Sequence, residues 1–478
     1  MVTIPRVVIA APGSGHGKTS VATGLLGALR ARGLTVSPHK VGPDYIDPGY
    51  HALAAGRPGR NLDPWLAGED RIAALFTHGA TTPAPAGIAV IEGVMGLFDG
   101  KADSASPGGR PPGTPRQGDF ASTAHVARLL GAPVVLVVDA SGMSASAAAL
   151  LHGFATFDPR VRIGGVIFNK AGPGRHAELL REAAEAAGVP VLGVLRRDSR
   201  LTVPSRHLGL IPAAESGREA TEAVAALAAT VAASVDLESV VRLAESAGPL
   251  PDTPSYPERI VPALPRPRLA IAGGRAFTFG YAEHPELLQE AGAEVVTFDP
   301  LRDPVLPPEV DGLIIGGGFP EEHAASLSAN AGLRAQIAAL AHAGAPVIAE
   351  CAGLLYLTRS LDGHPMCGVL DATGAMTDRL TLGYRDAVAA AASPLADAGT
   401  RVRGHEFHRT AVRPGSGADP AWHWTAAGNA VSEGFARSRV HASYLHVHWA
   451  GVPGAADRIT AAASAYRRER TGAQGPRP

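Results

Sequence analysis

Cysteine is nearly absent: Cys351 and Cys367 are the only two in 478 residues, which excludes a disulfide scaffold. Net charge is absent as well. Forty-three basic residues oppose 44 acidic ones for a formal charge of -1, so the chain offers no broad electrostatic footprint for nucleic acid or an anionic membrane. Any anionic ligand must be gripped locally. Lysine is scarce, with Lys18, Lys40, Lys101 and Lys170 the only four, and arginine carries the remaining positive charge. Long apolar runs are missing: the nearest candidate, 133–151, is broken by Asp139 and several serines, short of the roughly 18 residues a membrane span needs. No charged-then-apolar leader precedes the first strand, so a cytoplasmic location is expected, without membrane or nucleic-acid partners.

What the chain does have is length and a globular composition, 46% hydrophobic and 18% charged. That is more than one hydrophobic core usually serves. Short β-branched runs (7–11, 88–92, 134–139, 165–169) alternate with Ala/Leu-rich stretches such as 20–32 and 176–187. This pattern predicts an α/β protein with two domains, each a mainly parallel sheet with helices on both faces. Between 246 and 267 seven prolines cluster and the periodicity fails, which reads as a linker between domains 1–245 and 268–478. A second α/β pattern resumes at 269–272, 312–315 and 346–350. A Pro/Gly/Ser-rich patch at 102–117 reads as a mobile surface loop, with a lid as the alternative.

The strand at 7–11 runs into Pro12-Gly13-Ser14-Gly15-His16-Gly17-Lys18-Thr19 and then a helix. The strict phosphate-loop spacing fails at Pro12, yet strand, Gly-Lys-Thr and helix in this order point to a nucleotide phosphate site. Ser14, Gly15, His16 and Gly17 offer backbone N–H groups, Lys18 reaches the outer phosphates, and the Thr19 hydroxyl can ligate Mg²⁺. The strand at 88–92 ends on Glu92, the expected second metal ligand, and Asp99 follows as a further ligand or a substrate contact. In the turn His39–His51, Lys40 is placed to neutralise a transferring phosphoryl group and Asp47 to help hold metal. Asp44 and Tyr45 are placed to shape the substrate pocket. Asn169, at a strand end, can read a purine edge.

In the second half, 347–350 reads as a strand leading through Cys351-Ala352-Gly353 into a helix, the geometry of an exposed nucleophile. Cys367 reads as a buried, inert cysteine. Upstream, Gly316-Gly317-Gly318 follows another strand, and Gly317 and Gly318 with Ala352 are expected to donate N–H groups to an oxyanion. Three histidines, His441, His446 and His448, compete to be the base, and spacing cannot choose among them. Metal binding by His446 and His448 is the weaker alternative, since no cysteine or carboxylate cluster nearby completes a site. His405 and His408 form a second pair with the same ambiguity.

These motifs, with Lys40 to Pro48, Glu92 to Asp99, Gly316 to Glu321, Gly404 to His408 and Ser443 to His446, occur in an order that resembles the cobyrinate and hydrogenobyrinate a,c-diamide synthase family over essentially the whole chain. The resemblance implies a dethiobiotin-synthetase-like ATP domain and a class I-type glutamine amidotransferase domain. It implies that ATP phosphorylates a corrin acetate, the c position first and then a, and that ammonia from L-glutamine displaces the phosphate. ATP, L-glutamine and a corrinoid carboxylate are thus the expected partners, with Mg²⁺ as cofactor. The assembly is left open, a homodimer being one form. The Tyr-Leu-His match nominates His446 as the base beside Cys351. Many glutaminase triads carry glutamate two residues after that histidine, where this chain has His448. A Cys351–His446 dyad with an orienting group from elsewhere is therefore expected. Cobyric acid synthase and nickel sirohydrochlorin diamide synthase are the related alternatives. A partitioning-type switch ATPase, which shares the P-loop fold, is the alternative from a different functional class, disfavoured by the glutaminase half.

Overall fold

The structure is a computed structural model and describes residues 3–101, 119–197, 205–206, 209–250, 256, 266–426, 428–437 and 439–472. The predicted 102–117 loop lies outside the described residues. The chain divides into two compact units, 1–256 and 257–478.

The first unit is built on β1 (Arg6–Ala10), β2 (Val36–Val41), β3 (Arg60–Leu62), β4 (Ile88–Glu92), β5 (Val134–Asp139), β6 (Ile163–Ala171) and β7 (Val191–Arg196). They form one sheet in the order β3-β2-β4-β1-β5-β6-β7, with every pairing parallel. All five residues of β1 are buried, as a central strand covered on both faces requires. Because β1 sits between β4 and β5, the crevice at the carboxyl ends of these strands is the topological switch point where ligands bind in such sheets. A short hairpin, β8 (Ser205–Arg206) with β9 (Gly209–Leu210), lies outside the sheet. Helix Lys18–Ala31, following β1, packs closely on helix Arg218–Ser234: a Cβ at Gly24 would stand 2.5 Å from a Val231 methyl and 2.9 Å from the Leu227 carbonyl.

The second unit contains β10 (Arg268–Ala272), β11 (Glu294–Phe298), β12 (Gly312–Ile315), β13 (Val347–Glu350), β14 (Ser360–Leu361), β15 (His364–Pro365), β16 (Thr373–Ala389), β17 (Arg401–Arg413), β18 (Trp422–Ala426), β19 (Asn429–Glu433), β20 (Phe435–Arg437), β21 (Val440–Ser443) and β22 (His446–Val447). Six strands make the expected sheet, in the order β11-β10-β12-β13-β21-β20, parallel except for the edge strand β20. Along β13 the side chains alternate between two cores: Val347 and Ala349 join the layer holding Cys351, Ile348 the opposite one. A second, largely antiparallel sheet adds to what the sequence pattern showed. It is dominated by the long β16–β17 ribbon, and β22 pairs with β17 so that His405 faces His446. The chain thus leaves the parallel sheet at β21 and enters the antiparallel one at β22, and this switch fixes His446.

Asp311, fully buried just before β12, ties the C-terminal helix Ala455–Thr471 to the sheet. It accepts the Arg268 N–H at 2.9 Å and pairs with Arg467 at 3.1 Å and Arg470 at 2.9 Å. Asp311→Ala strands three donors around a buried hole. Destabilisation of about 3 kcal/mol is expected, at the lower end for buried pairs because both guanidinium groups reach water, as read by denaturant unfolding of the full chain.

Candidate functional site

In the first unit the loop after β1 takes the backbone its glycines allow, with φ of +83° at Gly15 and +90° at Gly17. Gly17 is doubly required, because a Cβ there would lie 2.3 Å from the Asn169 amide nitrogen. Asn169 Nδ2 donates to the His16 carbonyl at 3.0 Å, and His16 Nδ1 accepts the Asp139 N–H at 2.9 Å, so the ends of β5 and β6 hold the loop in shape. Lys170 braces it by reaching the Gly15 carbonyl at 3.0 Å and Asp139 at 2.7 Å. Lys18 folds back onto the carbonyls of Gly13 and Met95. Burial and the charge of Lys40 lower Lys18 to about 8, so an arriving polyphosphate would secure its full positive charge.

Beneath the loop lies a buried polar cluster. The Thr19 hydroxyl is 2.7 Å from Glu92 Oε1 and 3.2 Å from Asp47 Oδ2. Lys40 Nζ donates to the same two oxygens, at 2.9 Å and 2.7 Å, and to the Gly93 carbonyl. His51 Nε2 stands 2.7 Å from the other Glu92 oxygen, Oε2. Burial would raise Glu92, but the charges of Lys40 and His51 overrule it and hold this carboxyl well below its ordinary range. Asp47 goes the other way: burial, then Asp44 and Glu92, push it up to about 7 against the pull of Lys40. Asp44 accepts the N–H groups of Ile46 at 2.8 Å and Asp47 at 3.0 Å, starting the helix Asp47–Ala55. Tyr45 is buried in the same turn. Asp99 is exposed, and its Oδ2 accepts the Gly96 N–H at 2.9 Å.

In the second unit Cys351 caps the helix Ala352–Leu357 with φ +51°, a conformation that costs a non-glycine residue of order 1 kcal/mol. Its N–H donates to the Ser443 carbonyl at 2.7 Å, which pins the elbow to β21. Burial pushes the Cys351 thiol up, and the Glu321 charge adds to this; the N–H groups of Ala352 and Gly318, aimed at the sulfur, oppose it. The thiol form is therefore favoured at rest, and Cys351 would need a proton acceptor to act as a nucleophile.

The three competing histidines occupy different surroundings. His441 Nδ1 lies 3.1 Å from Ser393 Oγ, beneath Trp422. His448 Nε2 is 3.6 Å from buried Glu283 and its ring packs on Tyr281. His446 is the one at the glycine turn: a Cβ at Gly317 would stand 2.4 Å from its Cε1 and 3.1 Å from its Nε2. Its Nδ1 is 3.4 Å from Glu350 Oε2, a carboxylate one residue before the cysteine. Gly317 differs from the expectation that it donates to an oxyanion. Its N–H is spent on the Phe279 carbonyl at 3.1 Å, so Gly318 and Ala352 are the donors that face the sulfur. Gly317 instead leaves room for the His446 ring. Gly317→Ala should displace that ring and depress glutamine-dependent turnover at least about tenfold while sparing turnover with added ammonia, as measured by steady-state assay with each nitrogen source.

Residues 7–211 match the "CobQ/CobB/MinD/ParA nucleotide binding domain" model and residues 268–453 the "CobB/CobQ-like glutamine amidotransferase domain" model. Hydrogenobyrinate a,c-diamide synthase of Streptomyces coelicolor is 59% identical, over 95% of this chain and 97% of its own length. The Mycobacterium tuberculosis protein of the same name is 56% identical, over 96% and 98%. Cobyrinate a,c-diamide synthase of Syntrophotalea carbinolica is 43% identical, over 95% and 98%.

The chain belongs to the a,c-diamide synthase family. The sequence singled out residues that the structure brings together: Thr19, Lys40, Asp47 and Glu92 meet in one cluster, Gly318 and Ala352 face the Cys351 sulfur, and Gly317 lies against the His446 ring. It passed over His51 and Glu350. His51 closes the His39–His51 turn, and its place four residues after Asp47 on a helix was the available signal. Glu350 gave none beyond its adjacency to the nucleophile.

Proposed function

We propose that this enzyme uses ATP and L-glutamine to amidate the a and c acetate side chains of a cobyrinate- or hydrogenobyrinate-type corrinoid. One observation carries the reading: a phosphate loop over a Thr19–Asp47–Glu92 cluster, and a cysteine elbow whose preceding residue Glu350 lies 3.4 Å from His446, occur on one chain that aligns over 95% of its length with an a,c-diamide synthase. Two chemistries are needed because a carboxylate is a poor electrophile and glutamine holds its nitrogen as an unreactive amide.

At the first site a corrin carboxylate oxygen attacks the terminal phosphorus of ATP and ADP leaves, giving an acyl phosphate. Ammonia adds to its carbonyl carbon and inorganic phosphate departs with the amide formed. Lys18 and the loop N–H groups hold the phosphates, and Lys40, already between two carboxylates, balances charge as the phosphoryl group moves. The hard oxygen donors of Thr19, Asp47 and Glu92 fit Mg²⁺. Mg²⁺ typically keeps several waters and is held by one or two carboxylates together with substrate phosphates. Bound there, Mg²⁺ would neutralise phosphate charge in the transfer.

At the second site the Cys351 thiol yields its proton to His446 as sulfur attacks the glutamine side-chain carbonyl. The N–H groups of Gly318 and Ala352 receive the oxyanion. His446 returns the proton to the leaving nitrogen, ammonia departs, and water hydrolyses the thioester to glutamate. Higher identity to the relatives named for hydrogenobyrinate favours the metal-free ring as substrate. Mass spectrometry of products formed from hydrogenobyrinate and from cobyrinate, each with ATP, Mg²⁺ and glutamine, tests the reading. Two successive acid-to-amide conversions are expected, and no amidation of either macrocycle would refute it.

A further inference from the structure

The glutaminase half of this chain lacks an obvious third member, since His448 stands where many glutaminase triads place a glutamate, and His448 is engaged with Glu283. We infer that Glu350, the residue immediately before the nucleophile, is the carboxylate that positions His446. Its Oε2 lies 3.4 Å from His446 Nδ1, with the histidine side chain 1% exposed and the glutamate 10%. The second oxygen, Oε1, is buried and has no hydrogen-bond partner among the described residues, so His446 is the group that this carboxylate serves.

The backbone makes the pairing rigid. Glu350 is the last residue of β13 and is in register with Ser443 of β21, the strand that delivers His446 three residues later. The Cys351 N–H bond to the Ser443 carbonyl locks the same junction, so nucleophile, carboxylate and imidazole are fixed by one strand pair. Glu321 also acts on the Cys351 thiol, and two further carboxylates nearby are committed. Glu406 is held by Arg385 at 2.6 Å and lies 3.6 Å from His408. Glu433 accepts the Ser443 hydroxyl at 2.6 Å and the Tyr444 N–H at 2.8 Å. Besides Glu350, the groups around the imidazole include His405 across the β17–β22 pair, the Phe279 ring 6.5 Å away, the Gly317 backbone and, at longer range, His284.

A carboxylate at Nδ1 keeps the proton on that nitrogen and leaves Nε2, on the Gly317 side, to accept the thiol proton. It also stabilises the imidazolium that results. The same negative charge disfavours the neighbouring thiolate, which Glu350 helps to raise. A positioning carboxylate beside the nucleophile therefore works only if proton transfer to His446 accompanies attack, rather than preceding it.

The inference rests on Cys351 and His446 being the glutaminase pair, and the test separates the two. Full-length Glu350→Gln, Glu350→Ala and Cys351→Ala are assayed with ATP, Mg²⁺ and corrinoid, using either glutamine or ammonium chloride. Glu350→Gln, nearly isosteric, should lower kcat with glutamine about 10²-fold, leave KM for glutamine within about threefold, and leave the ammonia reaction at the parent rate. The acid limb of the kcat profile with glutamine should shift to lower pH, because the imidazolium loses its counter-charge, a change that mere loosening of the fold would not produce. If Cys351→Ala retains glutamine use, the pair itself is wrong. If Cys351→Ala loses it and Glu350→Gln keeps a near-parent kcat and an unmoved profile, the role given to Glu350 is overturned. Should Glu350→Ala also lose the ammonia reaction, the isosteric Gln variant decides.

Discussion

Cys351→Ala is expected to abolish glutamine-dependent amidation, by at least about 10⁴-fold, and to leave amidation with added ammonia at the parent rate. The size of the first effect follows from covalent catalysis. Without sulfur there is no thioester, and the N–H groups of Gly318 and Ala352 stabilise an oxyanion that no longer forms. The second part follows from the division of the chain into two compact units, because the phosphate loop and the Thr19–Asp47–Glu92 cluster lie wholly within 1–256. Alanine also fits the elbow sterically, the small residue being tolerated at φ +51° no worse than cysteine. The measurement is steady-state product formation with each nitrogen source. Loss of both activities would sink the division of labour.

Glu92→Gln or Asp47→Asn is expected to block amidation with either nitrogen source, by at least about 10²-fold. Glu92 is the more consequential, because one of its oxygens meets Thr19 and Lys40 while the other meets His51. Its neutralisation leaves the buried Lys40 ammonium with half its counter-charge and removes an anionic donor for the metal. Glutamine hydrolysis to glutamate should survive in these variants, which distinguishes a dead synthetase from an unfolded chain. Asp47 adds a pH dependence. Its carboxyl is raised to about 7, so below that pH it holds a proton that competes with metal. Amidation at constant free ammonia should therefore fall as pH drops through 7, and raising Mg²⁺ should move the midpoint down. A midpoint unmoved by Mg²⁺ would remove Asp47 from the metal site.

The difference in legibility between the two sites has a physical cause. The phosphate loop is written locally: a strand, a few glycines, Lys18 and a helix in succession generate their own geometry, so the failed spacing at Pro12 did not hide it. Lys40, Asp47 and Glu92 were legible because strand ends of one parallel sheet all open toward the same crevice. Side-chain chemistry within that crevice was not, and Lys40 turns out to bridge the two carboxylates. The antiparallel sheet of the second unit escaped notice because the 17-residue β16 is half solvent-facing and carries charge, so no continuous apolar run announced it. Gly317 was read as a donor from its motif, but its N–H is consumed by Phe279, a long-range pairing invisible to spacing.

By itself, then, the sequence determined the two α/β sheets, the phosphate loop, the cysteine elbow and the family, because each rests on contiguous residues whose backbone preferences and burial pattern are local. The tertiary structure decided which of three histidines meets the glycine turn and which carboxylate meets that histidine. His446 and Glu350 are 96 positions apart and come together only because β13 and β21 are hydrogen-bonded neighbours and β22 turns away to pair with β17. Strand order is set by the packing of both cores at once, and no single stretch of chain encodes it.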